Sequence, residues 1–204
     1  MADVHNGAMF IAAIPEHAAT GATAEYYQLQ RDSWGFLPNY AAAFSPRPAV
    51  AQAWNTLNAT IRDGMDRRQF EIATIAAARA LHSTYCTAAH SKFLRDVCAD
   101  EATMLSIATQ PSGAGLSAQD RAVYEFAAKV ASDAASIEQA DVDRLRAVGL
   151  TDADIADVVF AAAARSFFTR VLDGLGAQLD VETAQTFSPN IRQAMIVGRS
   201  IAES

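Results

Sequence analysis

Apolar positions recur at three- and four-residue intervals along most of the chain, and strand-like alternation never persists beyond a few residues. That periodicity predicts an all-α fold. Residues 1–22 read as an irregular N-terminal arm punctuated by Pro15 and Gly21, and "TAEYYQLQRDSW" from Thr23 to Trp34 reads as a first helix ended by Gly35. Two proline-bearing turns, "GFLPNY" and "FSPRP", flank a short helical piece, with Trp34, Phe36, Tyr40 and Phe44 expected to pin it to the core. Pro48 suits the first turn of a helix running to about Arg62 and stopping at Gly64. Asp66 and Gln69 have capping-box spacing, so a helix is predicted from Arg67 to about Leu81. A turn near His82 and Ser83 then leads into a helix reaching about Val97. Beyond it the pattern predicts a short helix and the loop "PSGAG" within residues 100–116, then a helix from Ser117 to about Ser132. A short helix follows in "EQADVDRLRAV", ending at Gly149, and a long one is opened by Thr151 with Asp154 and reaches about Leu175. The tail from Val181 is amphipathic, contains Pro189, and is expected as a segment able to pack on a neighbouring subunit.

Composition narrows this picture to one helical domain spanning residues 1–204. The length suits one sizeable core, and tracts such as "EIATIAAARA" and "VVFAAAARSFF" are alanine-rich. Alanine loses no side-chain entropy in a helix and lets helices approach closely. The net charge of −7, with lysine and arginine scattered, leaves no basic stripe for phosphates, so no nucleic-acid partner is expected. No apolar run approaches the ~18 residues of a membrane span, and the N-terminus lacks the basic flank and cleavage site of a signal peptide. The two cysteines, Cys86 and Cys98, offer no disulfide framework, and a reducing, cytoplasmic setting is expected.

Chemistry concentrates in "LHSTYCTAAHSKFL", residues 81–94. At helical spacing Glu71, Ile75, Ala78 and His82 share one face, so a carboxylate and an imidazole bracket an apolar stripe. On the next helix Cys86, Ala89, His90, Phe93 and Val97 share a face, while Lys92, Arg95 and Asp96 point away. Cys86 and His90 are one turn apart. In the first turn of a helix, unpaired N–H groups and the dipole end favour a thiolate, and a protonated His90 would favour it further. Glu71 is expected to orient His90 or relay its proton. The competing reading is a packed cysteine and a structural histidine, since free cysteine is among the most buried residue types. Against it stands the cost of burying Glu71 without a partner.

The stretch also resembles a known family. Glu71, then "SxxC" at Ser83–Cys86, then His90 resembles the Glu…CxxC…His signature of the AhpD-like, carboxymuconolactone decarboxylase superfamily. Tyr85 and the "AAH" ending at His90 match its common form "CxYCxxAH". "WGFLPNY" is similar to that superfamily's G-x-x-P-N segment, and "LTDADIADVVFAAAARSFFTRVLDGLG" to its closing helix, so the likeness runs from about Ile14 to Gly176. It implies an AhpD-like helical bundle that assembles into trimers or hexamers, with the active site between helices. It further implies Cys86 as the peroxidatic cysteine, His90 and Glu71 as its proton relay, and Ser83 in place of the cysteine that resolves the sulfenic acid. Cys98 cannot take that place on a continuous helix, where twelve residues rise ~18 Å and a disulfide needs Cα atoms within about 7 Å. Cys98 is expected to be a packing residue. Ser83 is read as a helix N-cap. His82, Ser83 and Tyr85 are candidate pocket residues, with His82 bordering the pocket, donating a proton, or capping the preceding helix.

Three functions compete at this stage. The first is a one-cysteine, peroxidase-like oxidoreductase, with a hydroperoxide substrate and an external thiol reductant. The second is a decarboxylase-type lyase in which His90 and Glu71 carry proton transfer on a small organic acid and Cys86 only lines the pocket. For that reading Arg67, Arg68 and Arg79 are the available cations. The third is a non-catalytic member with a vestigial site. No cofactor is expected, and Cys86, His90, Glu71 and His82 lack a zinc-site spacing.

Overall fold

The computed structural model describes residues 9–110 and 115–203, so residues 1–8 of the N-terminal arm and most of the "PSGAG" loop lie outside the described residues. The helices are α1 (Gly21–Trp34), α2 (Asn39–Phe44), α3 (Pro48–Asp63), α4 (Arg67–Ala80), α5 (Thr84–Asp96), α6 (Glu101–Thr109), α7 (Ala118–Asp133), α8 (Gln139–Ala147), α9 (Asp152–Leu175), α10 (Val181–Gln185) and α11 (Pro189–Met195). Among the described residues there is no strand, and the all-α expectation holds.

Helix α4 is the axis of the bundle, packed against α5, α7 and α9. Every residue from Phe70 to Ala78 is buried, including Ala73, Ala76, Ala77 and Ala78. Small side chains there let three neighbours close around one helix. The predicted starts are chemically made. Asp66 accepts from the Gln69 amide, Ser117 from Asp120, and Thr151 with Asp154 forms a reciprocal capping box that opens α9. Gly35 and Gly176 end α1 and α9 in the left-handed conformation.

Several local expectations are corrected. Helix α1 begins at Gly21 rather than Thr23. The arm is tied down from residue 9 onward: Phe10 N–H donates to Leu175, Ile14 N–H to Ser45 Oγ, and Tyr27 OH to the Ile14 carbonyl. Helix α5 stops at Asp96, which leaves Val97 57% exposed and off the apolar face it was assigned to. Ser83 holds the N-cap position of α5 but makes no capping bond. Its buried hydroxyl lies close enough to Asp173 of α9 to favour that carboxyl's ionised form, against the burial that pushes it up.

The C-terminal tail lies on its own chain, with α10 and α11 against α5 and α11 against α6. His82 turns the chain between α4 and α5 with φ at 57°. The tail crosses it so closely that a Cβ on Gly198 would fall 1.7 Å from the His82 carbonyl oxygen. Gly198 N–H also donates to Thr84 Oγ1 at 3.1 Å. Only glycine fits that crossing.

Candidate active site

A three-residue link, Leu81 to Ser83, folds α5 back along α4 and brings Glu71 opposite His90. His90 Nδ1 lies 2.6 Å from Glu71 Oε2, and Arg67 Nε donates to Glu71 Oε1 at 2.6 Å from one turn earlier on α4. Glu71 is fully buried with both oxygens engaged, which removes the cost of leaving it unpaired. Burial pushes its carboxyl up, but His90 and Arg67 outweigh that and hold it below the usual carboxylate range.

His90 moves down, from 6.5 to about 4, because burial and the Arg165 cation disfavour its charged form more than Glu71 favours it. The imidazole is therefore neutral at pH 7. A carboxylate only accepts, so Nδ1 carries the proton and donates to Glu71, leaving Nε2 as the acceptor. Edge-on contacts with Phe70 and Phe93 hold the ring.

A protonated His90, which would favour a thiolate at Cys86, is therefore not the form present at pH 7. The cation at Cys86 is Arg165 of α9, whose Nη1 is 3.8 Å from Sγ. Cys86 is in the first turn of α5, as the sequence indicated, and only 1% exposed. Cys86, His90 and Arg165 line a cavity of about 360 Å³. Its walls combine the aromatic side chains of Trp34, Tyr40, Trp54, Phe93 and Phe168 with polar groups from Gln30, Asn55, Asn58 and Arg62.

Of the three candidate pocket residues, only Tyr85 lines this cavity. Its hydroxyl is committed to the Asp180 carboxylate, which also accepts from Asn39 N–H at 2.6 Å. Burial raises Asp180 to about 6, and burial together with Asp180 raises Tyr85. The pair fixes the cavity wall to the tail. His82 is exposed at the turn, and Ser83 is buried outside the cavity lining.

The cations proposed for an acid substrate are spent elsewhere. Arg67 pairs with Glu71, Arg68 binds Asp100 and Asp120, and Arg79 donates to the Ala194 carbonyl. Cys98 is half-buried and unpaired. Among the described residues no group of three or more His, Cys, Asp or Glu side chains could hold a metal ion, and no helix is long and apolar enough to cross a membrane.

Sequence reasoning missed Arg165, Trp54 and Asn58. The signal for the first was present: one arginine inside the apolar run "VVFAAAARSFF" is costly unless it serves something.

Residues 48–112, which hold Glu71, Cys86 and His90, match the profile of the Carboxymuconolactone decarboxylase family. No curated protein matches the sequence. Among solved structures, an alkylhydroperoxidase AhpD core, an uncharacterized peroxidase-related protein from Ralstonia eutropha JMP134, superposes with TM-score 0.74 at 24% identity over 84% of this chain and 93% of that one. An uncharacterized peroxidase-related protein from Silicibacter sp. TM1040 gives TM-score 0.70 at 22% identity over 85% and 90%. The debrominase Bmp8 gives TM-score 0.63 at 16% identity over 85% and 89%.

Proposed function

Given that the chain belongs to the carboxymuconolactone decarboxylase family and has the AhpD-like helical fold its motif implied, we propose that it is a thiol-dependent, peroxidase-like oxidoreductase with Cys86 as its one reacting sulfur. One observation carries this reading. Cys86 sits at a cavity whose neutral His90 is held by Glu71 with Nε2 left to accept a proton.

In the proposed reaction His90 Nε2 takes the thiol proton and the sulfur attacks the terminal oxygen of a hydroperoxide ROOH. The O–O bond breaks with its electron pair going to RO, which takes the proton back from His90. Cys86 becomes a sulfenic acid and ROH leaves. The sulfur loses two electrons and the peroxide gains them. One molecule of an external low-molecular-weight thiol forms a mixed disulfide with release of water, and a second restores Cys86 and leaves as disulfide. Glu71 keeps the imidazole in the accepting tautomer and steadies it while it is charged. The aromatic walls and a volume of about 360 Å³ favour a hydroperoxide with a flat or bulky apolar body over hydrogen peroxide. Homo-oligomeric assembly belongs to the same proposal and is tested by light scattering.

The test is exposure of reduced protein to cumene hydroperoxide with a sulfenic-acid trap, followed by peptide mass spectrometry. Label at Cys86, absent in Cys86→Ser and strongly reduced in His90→Ala, supports the reading. A Cys86→Ser protein that still acts on a small organic acid while His90→Ala does not would instead favour the lyase reading, for which His90 and Glu71 suffice.

A further inference from the structure

Resting on the peroxidase reading, we propose that Arg165 is a further catalytic residue, whose guanidinium binds the departing oxygen of the peroxide and takes up its negative charge as the O–O bond breaks. Arg165 is 2% exposed, yet among the described residues it forms no ion pair with a carboxylate. Arg67 and Arg68, which are more exposed, have one and two carboxylate partners respectively. The guanidinium is held instead against the faces of Trp54 and Phe168, at 5.2 and 5.3 Å, and those rings stack on each other at 4.1 Å. Aromatic faces attract a cation but accept little hydrogen bonding. Asn58 Oδ1 takes Nη2 only at 3.4 Å, Nη1 reaches the sulfur, and the buried Nε–H has no acceptor.

A buried cation with an unused donor, touching the nucleophile and lining the cavity, is a preformed site for an anion. The reaction itself makes one there. When the sulfur takes the terminal oxygen, charge develops on the next atom, RO, one bond further into the cavity. Donors fixed before the reaction are worth most at such a point, because nothing must reorganise to meet the charge. His90 then delivers the proton it took from Cys86, and ROH departs neutral.

Peroxides whose departing oxygens differ in basicity provide the test. The rate of Cys86 oxidation is measured for cumene hydroperoxide, tert-butyl hydroperoxide and a peroxycarboxylic acid, in wild type, Arg165→Met, Arg165→Gln and Arg165→Lys. The two alkyl hydroperoxides leave as alkoxides and depend on Arg165, whereas a carboxylate leaves well without help. Loss of the guanidinium is expected to slow the alkyl hydroperoxides by about 100-fold and the peroxycarboxylic acid by no more than a few-fold. Lysine is expected to recover part of the difference. Equal slowing of all three peroxides, or slowing of none, overturns the role of Arg165 and leaves the peroxidase reading standing. A wild-type protein inert to every peroxide overturns both. If Arg165→Met fails to fold, as judged by circular dichroism, the polar but uncharged Gln variant and the charge-keeping Lys variant decide by the same ratio.

Discussion

Acidification should destabilise this protein through His90 before it does so through Glu71. Burial and the Arg165 cation lower the imidazole from 6.5 to about 4, so the folded chain binds that proton less readily than the unfolded one. Stability from this source is fully present above pH 6.5 and is lost as pH falls from there toward 4. A gap of about two and a half pH units at 1.36 kcal/mol each gives a loss of roughly 3 kcal/mol. That is a large share of the 5–15 kcal/mol typical of a whole domain. Glu71 lies below its usual range, so its contribution is present above the unfolded carboxylate pKa and disappears only at still lower pH. The comparison uses His90→Gln, which can donate to Glu71 but cannot titrate. Urea unfolding of both proteins at intervals from pH 7.5 to 4 yields two stability curves, and the baseline cost of the substitution drops out of their slopes. Wild type should lose roughly 3 kcal/mol more than His90→Gln across that interval. Parallel curves would refute the neutral, cation-crowded imidazole and the proton-accepting role built on it.

Gly198→Ala should lower stability by about 1–3 kcal/mol and loosen the tail, because its Cβ would overlap the His82 carbonyl; hydrogen exchange at residues 196–200 reads the loosening. Tyr85→Phe removes the hydroxyl that favours ionised Asp180, already raised to about 6, so the carboxyl rises further and the loss should be greater at pH 8 than at pH 5 in paired melting curves. Trp54→Ala should cost about 3 kcal/mol in unfolding measurements, since it removes both the stack on Phe168 and a face of the Arg165 site. Cys98→Ser should leave Cys86 oxidation unchanged, while excess hydroperoxide should drive Cys86 to sulfinic acid in either protein, as seen by intact mass, because Ser83 cannot form a protective disulfide.

Much of the scaffold was legible along the chain because its causes are local. Asp66, Ser117 and Thr151 cap the helices they precede, Gly35 and Gly176 end theirs, and the alanine run of α4 marks the helix that others surround. Spacing likewise placed Cys86 and His90 one turn apart and Glu71 on the helix before them, where a three-residue turn lets the carboxylate meet the imidazole. Ser83 and His82 were harder to read. Whether a serine at a helix start caps it, or a histidine at a turn enters a pocket, depends on what packs there, and here Asp173 and the returning tail do.

The charge state of the site was decided by the tertiary structure. His90 and Arg165 are 75 positions apart in sequence, and although a lone arginine in an apolar run marks Arg165 as unusual, its neighbourhood does not reveal that α9 brings it to the sulfur, where its charge adds to burial in keeping the imidazole neutral. Periodicity and capping act over three or four residues, so the sequence by itself determined the helices and one face of the cavity. Electrostatic fields act through space with no regard to chain position, so which proton sits where had to await the packing of α9 on α5.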